Sequence, residues 1–248
     1  MGLPEAIPLI ERAIEKGVFP GAAFALGGRD RFQTAFRGRF EYCPESRAVD
    51  ADTFWDLASL SKVVGTTSVA MRRFEEKRLD LSAPVSMYLP EFGQNGKERV
   101  TIRQLLLHEA GLIPFRPYET FVEPQAVRAA VWAEKLQYPP GTKSIYSDLS
   151  MIALQAVLEK VTGETLDRQV ELVVGIPRLT YRPDEERCAP TELVEPWRRD
   201  LRLRRGRLFA NGTYIQGEVH DPTACVLGGV AGHAGLFAPL EALTTFCT

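Results

Sequence analysis

Two short runs are the only clear β-strands in this sequence, and they limit what the chain can become. Ala22 to Leu26 is apolar and follows a break at Pro20-Gly21, and Phe32 to Phe36 follows the turn residues Gly27-Gly28-Arg29-Asp30. Together they predict a β-hairpin. A two-stranded hairpin is marginal in water and needs further strands or a covering helix. The rest of the chain reads as helix and packed loop.

Residues 4–16 place Ile7, Ile10 and Ile14 on one stripe, a short amphipathic helix ended by Gly17. Thr53 to Ala58 leads into a helix from Ser59 to about Lys77, and Leu81 to Phe92, with two prolines, reads as a packed loop. Thr101 is the expected N-cap of another helix. Pro139-Pro140-Gly141-Thr142 is a turn, and Leu149 to Val161 is a strongly apolar helix closed by Gly163. Residues 186 to 235 read as Gly-rich, irregular chain.

The 32 acidic residues against 30 basic ones give a net charge of -2, which argues against general nucleic-acid binding. No run of 18 apolar residues exists to span a membrane. Met1 to Ala6 has neither the basic nor the apolar stretch of a signal peptide, so a cytoplasmic chain is expected. In that compartment Cys43, Cys188, Cys225 and Cys247 are expected as free thiols. The histidines, 108, 220 and 233, match no zinc spacing, and neither a metal nor a cofactor is expected. Six arginines between 198 and 207 read as a solvated, salt-bridged insertion, with a rim that attracts anions as the alternative.

Ser59-Leu60-Ser61-Lys62 is an S-x-x-K at a helix start. Three residues along a helix rise about 4.5 Å on one face, so hydroxyl and amine converge. The positive helix end favours a developing alkoxide and a neutral lysine, and desolvation acts in the same direction. Taken alone, the tetrad reads better as a capping Ser59 with an exposed lysine. Ser61, on another helix face, is expected to tolerate alanine. Tyr146-Ser147-Asp148 sits between the Pro-Pro-Gly turn and the apolar helix. A phenol beside a lysine can act as general base for a serine. By itself this triplet reads better as a core aromatic and two capping residues.

With their flanks, these segments together resemble the serine β-lactamase and penicillin-binding protein superfamily, in the class C-like branch that includes serine esterases. Phe54 to Lys62 resembles the strand and nucleophile helix of that family, Val100 to Leu112 its "tirhLLtHtSGL" segment, and Tyr146-Ser147-Asp148 its Y-x-N. Gly228 to Phe237, with Gly217 to Asp221 before it, resembles the family's "GGvaGHAGLF" loop. The resemblance runs from about residue 4 to the end and implies an α/β (α+β) fold, an antiparallel sheet flanked by helices plus a helical, loop-rich lobe. It implies one domain over 1–248: helix, hairpin and strand in 1–58, a mainly helical lobe in 59–215, and a Gly-rich site loop with a return helix in 216–248.

Residue by residue, the resemblance makes Ser59 the acylated nucleophile, Lys62 its activating partner and Tyr146 the general acid/base. Asp148, His233, Gly235 and Asp221 are the implied substrate-binding positions. The Ser59 N–H is one oxyanion donor. The implied partner is a small acyl substrate, a β-lactam, D-amino-acid peptide or ester, with no nucleic acid, no membrane and no particular oligomeric state. Position 148 departs from the family in carrying Asp for Asn: a carboxylate cannot donate to a substrate amide and would hold a proton on Lys62. Ser147-Asp148-Leu149 has Leu where the class A S-D-N motif has Asn. No K-T-G or H-T-G strand is present, and His233-Ala234-Gly235 reads as a site-lining or structural loop rather than its substitute. His220 and Asp221 read as a pocket wall or a loop hydrogen bond rather than metal ligands, and Glu109 beside His108 as structural. Phe237 to Thr248 resembles the start of a helix after which the family continues into further strands. The expectation is therefore a fragment with an incomplete sheet and weak or no turnover. Three function classes remain: a β-lactamase-like hydrolase, a carboxylesterase of the same fold, and a non-catalytic ligand-binding homologue.

Overall fold

The computed structural model describes residues 2–28, 31–118, 120–204 and 214–248. Helix α1 (Leu3–Glu15) lays its isoleucine stripe on the hairpin. Strands β1 (Gly21–Gly28) and β2 (Arg31–Gly38) form the predicted antiparallel hairpin, and its register sets Phe24 opposite Ala35. The helix Leu240–Phe246 at the other end of the chain also packs on β1, giving the hairpin the cover it needs.

Strand β3 (Trp55–Asp56) leads into the helical run that carries Ser59. That run is π-helical over Lys62–Thr67 and becomes α2 at Ser68–Glu75. Its Gly65 faces Leu236, whose Cδ1 would lie 2.9 Å from any added Cβ. The stretch expected as a packed loop holds α3 (Val85–Tyr88) and a 3₁₀ turn at Pro90–Phe92, each opened by a proline, whose missing N–H costs nothing at a helix start. Thr101 caps α4 (Ile102–Leu106) with a full capping box, its hydroxyl accepting from Gln104 N–H and the Gln104 side chain accepting from Thr101 N–H. Helix α5 (Pro124–Ala133) follows.

The centre of the molecule is α6 (Asp148–Thr162), closed by left-handed Gly163. Every residue from Leu149 to Leu158 is buried, and α3, α4, α5, α7 (Leu166–Val174) and the π-helical stretch pack around it. A helix apolar nearly all round belongs inside, which its composition requires.

The segment read as irregular contains α8 (Pro196–Arg204) and α9 (Pro222–Val226). This corrects the view of the arginine-rich stretch as solvated for two of its residues, while Arg199 and Arg204 stand exposed as expected. Arg198 is fully buried: its Nη1 donates to Glu218 Oε1 at 2.9 Å and to the Val219 carbonyl at 3.0 Å, and Nη2 to the His220 carbonyl at 2.7 Å. Arg202 is also buried, pairing with Glu185 at 3.1 Å and Glu218 at 3.4 Å. A guanidinium gives up water when a fork of acceptors replaces it, which no local count of charges reveals. Positions 205 and 207 lie outside the described residues.

Strand β4 (Phe237–Ala238) pairs antiparallel with β3 and runs into α10 (Leu240–Phe246). Among the described residues the strands form two separate two-stranded sheets, β1-β2 and β3-β4. No described helix is long and apolar enough to cross a membrane. None of the four cysteines forms a disulfide; Cys188 and Cys225 are buried, Cys43 and Cys247 exposed.

Candidate active site

The β3–β4 pairing sets Ser59 against the Gly-rich loop. The Leu57 N–H donates to the Leu236 carbonyl at 2.9 Å, and Ala58 then turns with φ 44, a left-handed value rare outside glycine. Asp56 supports that turn, its Oδ1 accepting from the Ala58 N–H at 2.8 Å while Oδ2 accepts from the His220 N–H at 2.7 Å. Burial pushes the Asp56 carboxyl above the usual range, and those two N–H bonds pull the other way.

Ser59 stands exposed at the head of the helical run. Lys62 is 4% exposed, and its Nζ lies 2.8 Å from Ser59 Oγ, 3.1 Å from the His233 carbonyl and 2.7 Å from Asp148 Oδ1. The Lys62 Nζ also lies 4.6 Å from the centroid of the half-exposed Tyr146 ring. The structure thus brings Ser59, Lys62, Tyr146 and Asp148 together, with Tyr146 meeting Lys62 through its ring face.

Asp221 N-caps α9, accepting from Ala224 N–H at 2.7 Å, and holds His233 Nε2 at 2.8 Å. Burial works to raise the Asp221 carboxyl, but the His233 bond and charge, the Ala224 N–H and the Lys62 charge outweigh it and bring it to about 2. The His233 ring is 1% exposed, so its backbone carbonyl is the part that reaches Lys62. Gly235 adopts φ 113, and a Cβ there would lie 2.1 Å from the Gly229 carbonyl oxygen, so the loop closes only with glycine. Asp148, Asp221 and His233 place ligand atoms within 4.8 Å of one another, a grouping that could hold a metal ion. Lys62 pairs directly with Asp148 and its charge reaches Asp221, so an ammonium already supplies positive charge to both carboxylates.

Ser61 is fully buried and its Oγ accepts from the Leu236 N–H at 3.0 Å, which overturns the expectation that alanine is tolerated. Ser61→Ala leaves that buried donor without its partner and should cost about 1–3 kcal/mol in denaturant unfolding. An unfolding midpoint equal to that of the parent protein would refute this.

The sequence reading passed over His108. It carries φ 56, its Nδ1 accepts from the Ser147 N–H at 3.1 Å, and its ring lies 4.8 Å from that of Tyr146. Burial, then the Lys62 charge, lowers its proton affinity, which suits the neutral acceptor form. His220 pairs instead with Glu192 at 2.8 Å on the surface.

A protein-family model described as Beta-lactamase matches residues 7–248. The chain belongs to the Beta-lactamase family. It is 30% identical over 263 residues to the N-acetylmuramyl-L-alanine amidase of Bacillus subtilis (strain 168), covering 93% of this chain and 58% of that protein. The chain spans about half the length of the curated relatives it matches. A class C beta lactamase from Rhodobacter sphaeroides superposes with a TM-score of 0.73 at 18% identity, over 97% of this chain and 63% of that one. EstCE1, a hydrolase with promiscuous acyltransferase activity, superposes with a TM-score of 0.75 at 21% identity, over 98% and 70%. The fold is the β-lactamase/transpeptidase-like one that the motifs implied, mixed α/β with short antiparallel sheets.

Proposed function

We propose that this Beta-lactamase family member is a serine hydrolase that cleaves a small acyl substrate through an ester on Ser59. The observation that carries this reading is the environment of Lys62 Nζ. Of its three close oxygen partners, the His233 carbonyl and the Asp148 carboxylate only accept, whereas the Ser59 hydroxyl can also donate. In the amine form, two N–H groups serve the acceptors and the lone pair faces Ser59 Oγ. The Ser59 proton then passes to Nζ as Oγ attacks the acyl carbon, and the ammonium returns a proton to the leaving group. Water repeats the sequence on the ester. Tyr146 takes the family's general acid/base position, and from its face-on contact the phenol must turn to exchange a proton.

Covalent labelling tests the reading: a fluorescent penicillin and a fluorophosphonate should each be tried, with the adduct mapped by peptide mass. Label from penicillin supports the lactam branch and label from fluorophosphonate alone the esterase branch. No label from either supports the non-catalytic homologue and defeats the proposal. The esterase branch has one specific support, since an ionised Asp148 offers no hydrogen to a substrate amide carbonyl.

A further inference from the structure

The contacts around Ser59 close into a ring. Ser59 Oγ meets Lys62 Nζ at 2.8 Å, Nζ meets the His233 carbonyl at 3.1 Å, and His233 Nε2 meets Asp221 Oδ1 at 2.8 Å. Asp221 follows His220 in the chain, the His220 N–H meets Asp56 Oδ2 at 2.7 Å, and Asp56 Oδ1 meets the Ala58 N–H at 2.8 Å. Ala58 adjoins Ser59. Asp56 is the one member that bonds both the turn carrying the serine and the loop carrying Asp221.

We propose that Asp56 is a positioning residue for the Ser59 nucleophile, stapling the left-handed turn at Ala58 to the loop that carries Asp221 and His233. This rests on the acyl-transfer reading for its effect on rate, though the staple itself is a matter of structure. Two features make it specific. Ala58 carries a Cβ at φ 44, a conformation an alanine does not hold without help, and the help is the Asp56 Oδ1 bond. On the far side, Arg198 grips the carbonyls of Val219 and His220, so the His220 N–H is presented from a braced segment. A carboxylate has two oxygens for two donors; an amide has one, and turns its own N–H group toward the other donor.

The test is Asp56→Asn in the 248-residue protein, read by amide hydrogen exchange and by fluorophosphonate labelling. Exchange should quicken in residues 57–61 and 219–221 and stay slow in α6. The maximal labelling rate should fall about 10²-fold, as for a misplaced reacting group, with the half-saturating probe concentration little changed. Adding Ala58→Gly should restore slow exchange over 57–61 and much of the labelling rate, because glycine holds φ 44 unaided, while 219–221 stays fast. Unchanged exchange in both segments, loss of protection throughout α6, or no recovery with glycine would each overturn the proposal. If the parent protein takes no label, the acyl-transfer reading fails and the exchange pattern alone decides on Asp56.

Discussion

Ser59→Ala should abolish covalent labelling, with the fold intact. The loss follows from chemistry: without Oγ there is no atom to carry the acyl group, and only binding and backbone donors remain. The fold should survive because Ser59 is exposed and its hydroxyl is one of three close polar partners of Lys62. Surface replacements of this kind usually stay within about 0.5 kcal/mol. Thermal unfolding and peptide mapping check both halves. An adduct on another serine, Ser61 included, would overturn the assignment, and Ser61 is poorly placed, buried and committed to Leu236.

Lys62→Met should do two things at once. Labelling should fall by about 10²–10⁴, the usual contribution of a positioned proton acceptor. Stability should fall by about 3–5 kcal/mol, because Asp148 keeps a largely buried charge and loses its counter-charge. The two effects separate in the double variant. Lys62→Met with Asp148→Asn removes both charges, so denaturant unfolding should return most of the lost stability while labelling stays low. A double variant that regains labelling would make Lys62 a structural ion-pair partner and nothing more.

What could be read from residues alone was local. The hairpin, the Thr101 cap, the Gly163 stop and the buried helix rest on spacing within about fifteen residues, and each stands in the structure. The S-x-x-K and Tyr-Ser-Asp segments were visible for the same reason, and their family context came from several motifs in order. What escaped depends on distant partners. Ser61 takes its importance from Leu236, Asp56 from His220, and Arg198 and Arg202 from Glu218. The π-helical stretch is likewise invisible in the string Lys62-Val63-Val64-Gly65-Thr66-Thr67, since its close neighbour at Gly65 is Leu236. His108 escaped because nothing in the residues beside it says that its ring will hold the Ser147 N–H.

Helix α6 bears on how this site moves. Asp148, at its first turn, holds Lys62, and Gln155, seven residues on, accepts from the Gly232 N–H at 2.8 Å and donates to the Val230 carbonyl at 3.2 Å. Seven residues are two turns, so both side chains leave the same face about 10 Å apart. One rod therefore fixes the lysine and the loop whose carbonyl that lysine touches. Packed on all sides, the rod has no direction in which to roll or slide alone. The distance between amine and loop is then gauged by a rigid length, and thermal motion carries the two together instead of opening a gap between them.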